Sequence, residues 1–593
     1  MMKPRDRMIE LFVAAILSTI PTVATAEKHE RNVYYGDLHL HTSYSTDAVF
    51  LSGIRIGLDD AYRFARGEAV DYSGQSLRRA EPLDFIAVTD HAEQMGVGRA
   101  LFEADGPLAQ TEMSKALRAG RHAPIEEVGR LFQSKQPIAG VDVLPILEGA
   151  WREEKEAVDR HHRPGTFTTF LGYEWSSSPK SQNLHRNVIF RGNEAPLPFS
   201  SNDSPRPEDL WTYLERNRAR GIEALAIPHN ADVSNGLMYA LTDSDGKPID
   251  AEYARRRALN EPIGEIYQSK GQSETHPLLS PSDELAGFEL FEHLMGGPGR
   301  PQRGQVSGSY FREAWGRGLA LSERIGANPF RFGVVGATDL HNGLADTREA
   351  TYRGPGLAGD LPTDVVKTLL GTSEIPNPVI PLIATGSGGL TGIWAEENTR
   401  EALYDALRRS ETFATSGTRI SLRVFAGWNY GPDLLRRSDM IARAEAGGVA
   451  MGGTLTDAAT GRSPRFLILA QQDAKGARLE RLQIIKVWVR KGEPSEKVFD
   501  VEVAQDGART LEAIWQDPDF DATEPSLYYV RVLEMPTPRW STLLARSANL
   551  PRPKDQPESI RERAWSSPIW YEPSRSSASA GEKSVADPTS RTD

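Results

Sequence analysis

Tyr35-Gly36-Asp37-Leu38-His39-Leu40-His41-Thr42 puts two histidines two residues apart at the end of a run of strand-forming side chains. Alternate side chains of a strand share a face, so His39 and His41 project together with Asp37 beside them. Two imidazoles so placed are half of a metal site, and a nearby carboxylate can orient one of them. Taken alone, the pair also fits a half-buried strand whose histidines bond to backbone. The rest of the chain decides between the two.

The same design recurs. Leu83 to His91 is an apolar run that ends in Thr89-Asp90-His91, and Gly221 to Asn230 ends in Pro228-His229-Asn230. Phe332 to His341 ends in Asp339-Leu340-His341, and Thr168 to Trp175 carries Glu174 near its end, with His185 eleven residues on. Apolar runs bounded by polar residues read as buried strands. In parallel α/β sheets and barrels, ligands gather outside the carboxyl ends of the strands. The chain has only 12 His, and His39, His41, His91, His229 and His341 all fall at such ends. Each alone could be structural; five strands each ending in His, Asp or Glu are hard to explain that way.

These residues resemble the polymerase-and-histidinol-phosphatase (PHP) superfamily of metal-dependent phosphoesterases, and within it a DUF3604-like branch with a C-terminal β-rich extension. The resemblance rests on Asp37-Leu38-His39-Leu40-His41, Thr89-Asp90-His91, Tyr173-Glu174-Trp175, Pro228-His229 and Asp339-Leu340-His341, and spans about residues 32 to 420. Glu265 to Glu274 and Trp565 to Trp570 also look typical of the branch. The resemblance implies an α/β fold, a distorted (β/α) barrel holding two or three divalent ions. It implies one ion on His39, His41, Glu174 and Asp339, and a second sharing Glu174 with His185 and His229. A third would take His91, His341 and Asp47, the last standing where relatives often have histidine. Zinc or manganese is the first expectation and iron an alternative, since His/carboxylate sets accept all three. Asp37 and Asp90 are the expected acceptors of the distal N–H groups of ligand histidines.

Paired ions suit ester hydrolysis: they acidify bound water and hold the attacking and leaving oxygens of an in-line displacement. The expected function is an exported hydrolase of phosphate mono- or diesters using metal-activated hydroxide. The alternatives are hydrolysis of a sulfate, phosphonate, carboxylic ester or lactone at the same site, or metal or ligand binding without turnover. His91 or His341 could protonate the leaving group, and Arg186 could lie bidentate on an oxyanion. Lys270 and Glu274 are candidates for the pocket edge, and Arg312 for an anion contact. The substrate is expected to be a small anionic ester, although the chain's net charge of -12 by itself repels anions.

Other chemistries fail on composition. With Cys 0 there is no thiol nucleophile, iron–sulfur cluster or disulfide. Gly386-Ser387-Gly388-Gly389 lacks the Lys-Ser/Thr of a phosphate loop, and Thr415-Ser416-Gly417 is no Gly-x-Ser-x-Gly elbow. No basic stripe with interleaved aromatics speaks for nucleic acid.

Residues 1–26 read as a secretory signal: Lys3, Arg5 and Arg7, a short apolar stretch from Leu11 to Ile20, then Ala24-Thr25-Ala26. A ten-residue stretch with eight apolar side chains is too short to span a bilayer, so the expected destination is a bacterial periplasm or the medium, without stable membrane insertion after cleavage. The catalytic domain is expected over 27–419, with insertions near 92–165 and 241–285. From about 420 to 573, short strand-like runs at regular spacing predict a β-sandwich-like module. Residues 574–593, rich in Ser and charge, are expected to be disordered. Oligomeric state leaves no mark on the sequence.

Overall fold

A computed structural model describes residues 31–72, 74–119, 137–294, 304–354, 382–456 and 461–573. The signal sequence and the C-terminal tail expected above lie outside these residues.

The central strands are β1 (Asn32–Asp37), β2 (Phe85–Val88), β3 (Thr168–Trp175), β4 (Arg186–Phe190) and β5 (Ala224–Pro228). β6 (Ile263–Gln268), β7 (Gly333–Gly336), β8 (Leu390–Ala395) and β9 (Thr412–Thr415) complete the set. β2 to β5 are buried along their whole length, and β2 and β5 accordingly read as continuous apolar runs and not as alternating ones.

In one mixed sheet the order is β5-β4-β3-β2-β1-β8-β9. β1, β2 and β3 run parallel, with Gly36 opposite Phe85 and Phe85 opposite Thr168. β4 is antiparallel to both neighbours, and β8 is antiparallel to β1 and β9. β6 and β7 pair in parallel within a separate small sheet that adjoins β1's extension through the isolated bridge Leu40–Leu340. Relative to a plain alternating barrel, the difference is these antiparallel members and the second sheet. Leu38, Phe85, Phe170, Ile189, Leu225, Ile227, Ile263, Val335 and Ile393 nonetheless meet in one apolar cluster, closed off by helix Arg400–Arg408. Each such side chain contributes roughly 1.5–3 kcal/mol by leaving water. Gly36 is required here, because a Cβ on it would lie 2.3 Å from the Phe85 ring.

The segment 241–285 is not an insertion on this scaffold, because it contains β6, a fully buried strand. Glu265 and Gln268 gave it a polar texture, and both turn out to be buried beside the cluster of histidines. The segment 92–165 carries helices, among them Leu144–His161, which packs on β3.

Beyond residue 420, strands Ser421–Gly427, Arg465–Gln471 and Thr510–Gln516 lie in one sheet. Across Leu422, Val424, Ile468, Ile484, Tyr528 and Val530 they face Leu479–Arg490 and Ser526–Glu534. This second layer is hydrogen-bonded into the central sheet: Arg563–Ser566 pairs with β9 on one edge and with Ser526–Glu534 on the other. Among the described residues, no helix is long and apolar enough to cross a membrane.

Candidate metal centre

Most of the ligand candidates sit where their strands run out, while Asp47 lies in the first turn of helix Thr46–Ser52. His39 and His41 follow β1, and their backbone joins the extension of β7: Asp339 N–H donates to the His39 carbonyl at 2.8 Å, and His41 N–H to the Leu340 carbonyl at 3.0 Å. Glu174 is the penultimate residue of β3, His185 precedes β4, and His229 follows β5. Asp339 and Asn230 both adopt left-handed backbone, φ 51° and 52°, a conformation that Asp and Asn tolerate better than most side chains.

Glu174 stands at the middle. Its Oε1 lies 2.6 Å from His185 Nδ1 and 3.0 Å from His229 Nε2. Its Oε2 lies 3.3 Å from His39 Nε2, 3.1 Å from His41 Nε2 and 3.3 Å from His91 Nδ1. Asp339 Oδ1 faces His39 Nε2 at 3.3 Å and His41 Nε2 at 3.4 Å. Asp47 Oδ2 faces His341 Nε2 at 3.1 Å and His91 Nε2 at 3.3 Å. All nine residues expected as ligands therefore converge on one hollow. His39, His41 and His229 are wholly buried, and the side chains of Asp47 and His185, 15% and 14% exposed, mark its open edge.

The chemistry of this donor set fits cations. His39 Nδ1 lies 3.0 Å from Glu265 Oε2, so its N–H belongs there and its Nε2 carries a lone pair. His41 Nδ1 lies 2.9 Å from Ser45 Oγ, whose own proton goes to Asp90 Oδ1 at 2.6 Å. The Nε2 of His41 is then also a lone pair. These two lone pairs face each other at 3.2 Å with two carboxylates alongside. Such an arrangement is repulsive without a positive charge in it. Protonation of His41 supplies one such charge: burial opposes it, but Asp339 and Glu174 outweigh burial and push the imidazole up to about 10. Burial, with the neighbouring His39 and His41, brings His229 and His341 down to about 4 and leaves them neutral donors.

Asp37 and Asp90 do not meet imidazoles directly. Asp37 accepts from the backbone N–H of His39 and Thr338, both at 3.1 Å, and from Thr338 Oγ1 at 2.6 Å. Asp90 accepts from Thr42 N–H at 2.7 Å and from the Ser45 hydroxyl, and so acts on His41 through that serine. Glu265, on β6, is the direct acceptor that the sequence reading missed. Removing such a partner costs about 10–100-fold in metal affinity. Glu265→Ala should therefore weaken ion binding by that factor in a chelator competition; unchanged affinity would show that His39 needs no such acceptor.

Arg186 takes no part in the hollow. Its Nε donates to Glu261 at 3.0 Å and its Nη1 to the Leu184 carbonyl, while Trp211 Nε1 binds the same Glu261 oxygen at 2.8 Å. Neighbours on a strand point to opposite faces, so His185 and Arg186 cannot both face the site. Glu274 and Arg312 are likewise elsewhere: they bind each other at 2.7 Å within a buried network that reaches the C-terminal strands. Lys270 does belong to the site, with its ammonium on Asp339 Oδ2.

The model of a family described as "Protein of unknown function (DUF3604)" matches residues 28–507 and 502–573. No curated protein matches the chain. A solved structure from Bacteroides vulgatus ATCC 8482, described as a two-domain protein containing a predicted PHP-like metal-dependent phosphoesterase, is 11% identical. The match covers 84% of this chain and 90% of that one at a TM-score of 0.27, too loose a superposition to carry an argument.

Proposed function

Because the chain belongs to the DUF3604 family, whose description assigns no activity, we propose from the site itself that it is a metal-dependent hydrolase of ester bonds, with phosphate mono- or diesters as its first substrate class. The observation that carries this reading is Glu174, whose two carboxylate oxygens each face a different group of imidazole nitrogens. The likeness of the His-x-His, Asp-His and Asp-x-His motifs to PHP phosphoesterases supports it.

His39, His41, Glu174 and Asp339 would hold one ion, Glu174, His185 and His229 a second, and Asp47, His91 and His341 a third. Zinc and manganese suit this donor set, as does iron. Bound divalent ions supply Lewis acidity and bring the pKa of water from about 15.7 to roughly 7.

The protein's own groups do the rest. Glu265 and the Ser45–Asp90 pair fix His39 and His41 with Nε2 inward. Burial keeps bulk water from most of the site and leaves Asp47 and His185 at its edge, which strengthens the charges inside. Burial lowers the His91 pKa but Glu174 and Asp47 outweigh it, so His91, where it holds no ion, is the group that would give a proton to the departing oxygen, and the neutral His341 is not. The reading includes export to the periplasm or the medium, on the strength of residues 1–26 alone.

Dialysis against a chelator should abolish turnover of a chromogenic phosphate ester, and zinc or manganese should restore it. Preferential turnover of a sulfate, phosphonate, carboxylic ester or lactone would move the substrate class. A metal-replete protein inert toward the whole panel would reduce the site to binding.

A further inference from the structure

Asp339 divides its carboxylate between two kinds of partner. Oδ1 faces the imidazoles of His39, His41 and His341, at 3.3, 3.4 and 3.5 Å. Oδ2 is turned to the ammonium of Lys270 and, at 3.5 Å, to the Asn230 amide. Lys270 lies in the tight turn after β6, only 2% exposed, and its own N–H is held by Gln268 Oε1 at 2.5 Å. The Gln268 amide in turn donates to Asn230 Oδ1, so the lysine, the glutamine and the asparagine form one polar floor behind Asp339. A lysine this deeply buried is uncommon unless paired, and its partner is a ligand candidate.

We propose that Lys270 is a positioning residue that holds Asp339 Oδ2, so that only Oδ1 is presented to an ion, and that its charge adds to the attraction of the loaded centre for an anionic ester. The inference rests on the reading of the site as a metal-dependent hydrolase. The centre gathers the carboxylates of Asp47, Glu174 and Asp339, with Glu265 beside His39, so the Lys270 ammonium adds a positive charge directly behind one of the ligand carboxylates. The same ammonium repels the ions, so it weakens their binding while favouring the substrate. A group with a merely structural role would not have these two opposed effects.

The test is Lys270→Met, nearly isosteric and uncharged, with Lys270→Arg as the charge-keeping control in case the methionine variant folds poorly. Divalent ion affinity is read by competition with a chromogenic chelator on full-length protein, and turnover with the best ester of the panel. Lys270→Met should bind manganese tighter, by about tenfold or more, and turn over ester about a hundredfold more slowly. Lys270→Arg should keep the wild-type ion affinity within a few-fold. Weaker ion binding by Lys270→Met, or unchanged turnover, overturns the proposal and leaves the hydrolase reading standing. Wild-type protein that binds no divalent ion overturns both. If the wild-type protein binds ions but hydrolyses nothing, the affinity comparison alone decides: tighter binding by Lys270→Met supports the role, and equal or weaker binding ends it.

Discussion

Glu174→Gln should strip the centre of ions and cut turnover by about three orders of magnitude or more. The substitution keeps the shape of the side chain and changes only its charge and one oxygen. That is enough, because both oxygens are in use: one lies between His185 and His229, the other among His39, His41 and His91. An amide nitrogen on either side would present hydrogens to imidazole lone pairs instead of a ligand atom. Two ion positions would lose their shared ligand at once. His185→Ala, which removes a residue at the solvent edge, should do less. Elemental analysis beside steady-state kinetics distinguishes these outcomes, and an active, metal-replete Glu174→Gln would remove Glu174 from the ligand set.

Arg531→Leu should cost about 3–5 kcal/mol of stability while leaving the ion content of the folded protein unchanged. The Arg531 guanidinium is fully buried. It meets Glu274 at 3.0 and 3.2 Å, Asp283 at 2.9 and 3.0 Å, and Gln483 at 2.8 Å. Arg312, Tyr529 and Trp565 converge on the same Glu274. This network joins the segment after β6 to the C-terminal strands, and without Arg531 two buried carboxylates share one guanidinium.

The network also sets a pH dependence. Burial raises the Glu274 pKa, but Arg531 and Arg312 outweigh burial and lower it to about 2; Asp283 is lowered by the same pair. An unfolded chain has ordinary carboxylates, about 4.3 for Glu. Between those values the unfolded state binds more protons, so stability rises with pH there. The contribution is fully present above the ordinary carboxylate range and is lost as pH falls toward about 2. Urea unfolding between pH 2 and 5 should show this slope in the wild type and a shallower one in Arg531→Leu. Equal slopes would mean that Glu274 and Asp283 are not held by this arginine.

The sequence disclosed the histidines because strand ends and two-residue spacing are local properties. His39, His41, His91, His229 and His341 could be placed from apolar runs that stop abruptly. The C-terminal strands were legible for the same reason: the short strand-like stretches between 420 and 573 include Phe466 to Ala470, inside strand Arg465–Gln471, and Leu527 to Leu533, inside Ser526–Glu534. What sequence could not disclose was non-local. The pairing of Arg563–Ser566 with β9 joins residues about 150 positions apart, and this edge hydrogen-bonds the C-terminal strands to the central sheet. β6 escaped notice because its buried polar residues serve the site, which breaks the apolar pattern of a core strand. Arg186, next in the chain after His185, points away from the site because successive side chains of an extended chain face opposite sides.

The most direct test is anomalous diffraction from crystals of the manganese-loaded protein. The account predicts a peak among His39, His41, Glu174 and Asp339, and a second where Glu174 meets His185 and His229. A loaded crystal with no peak in contact with Glu174 would contradict it.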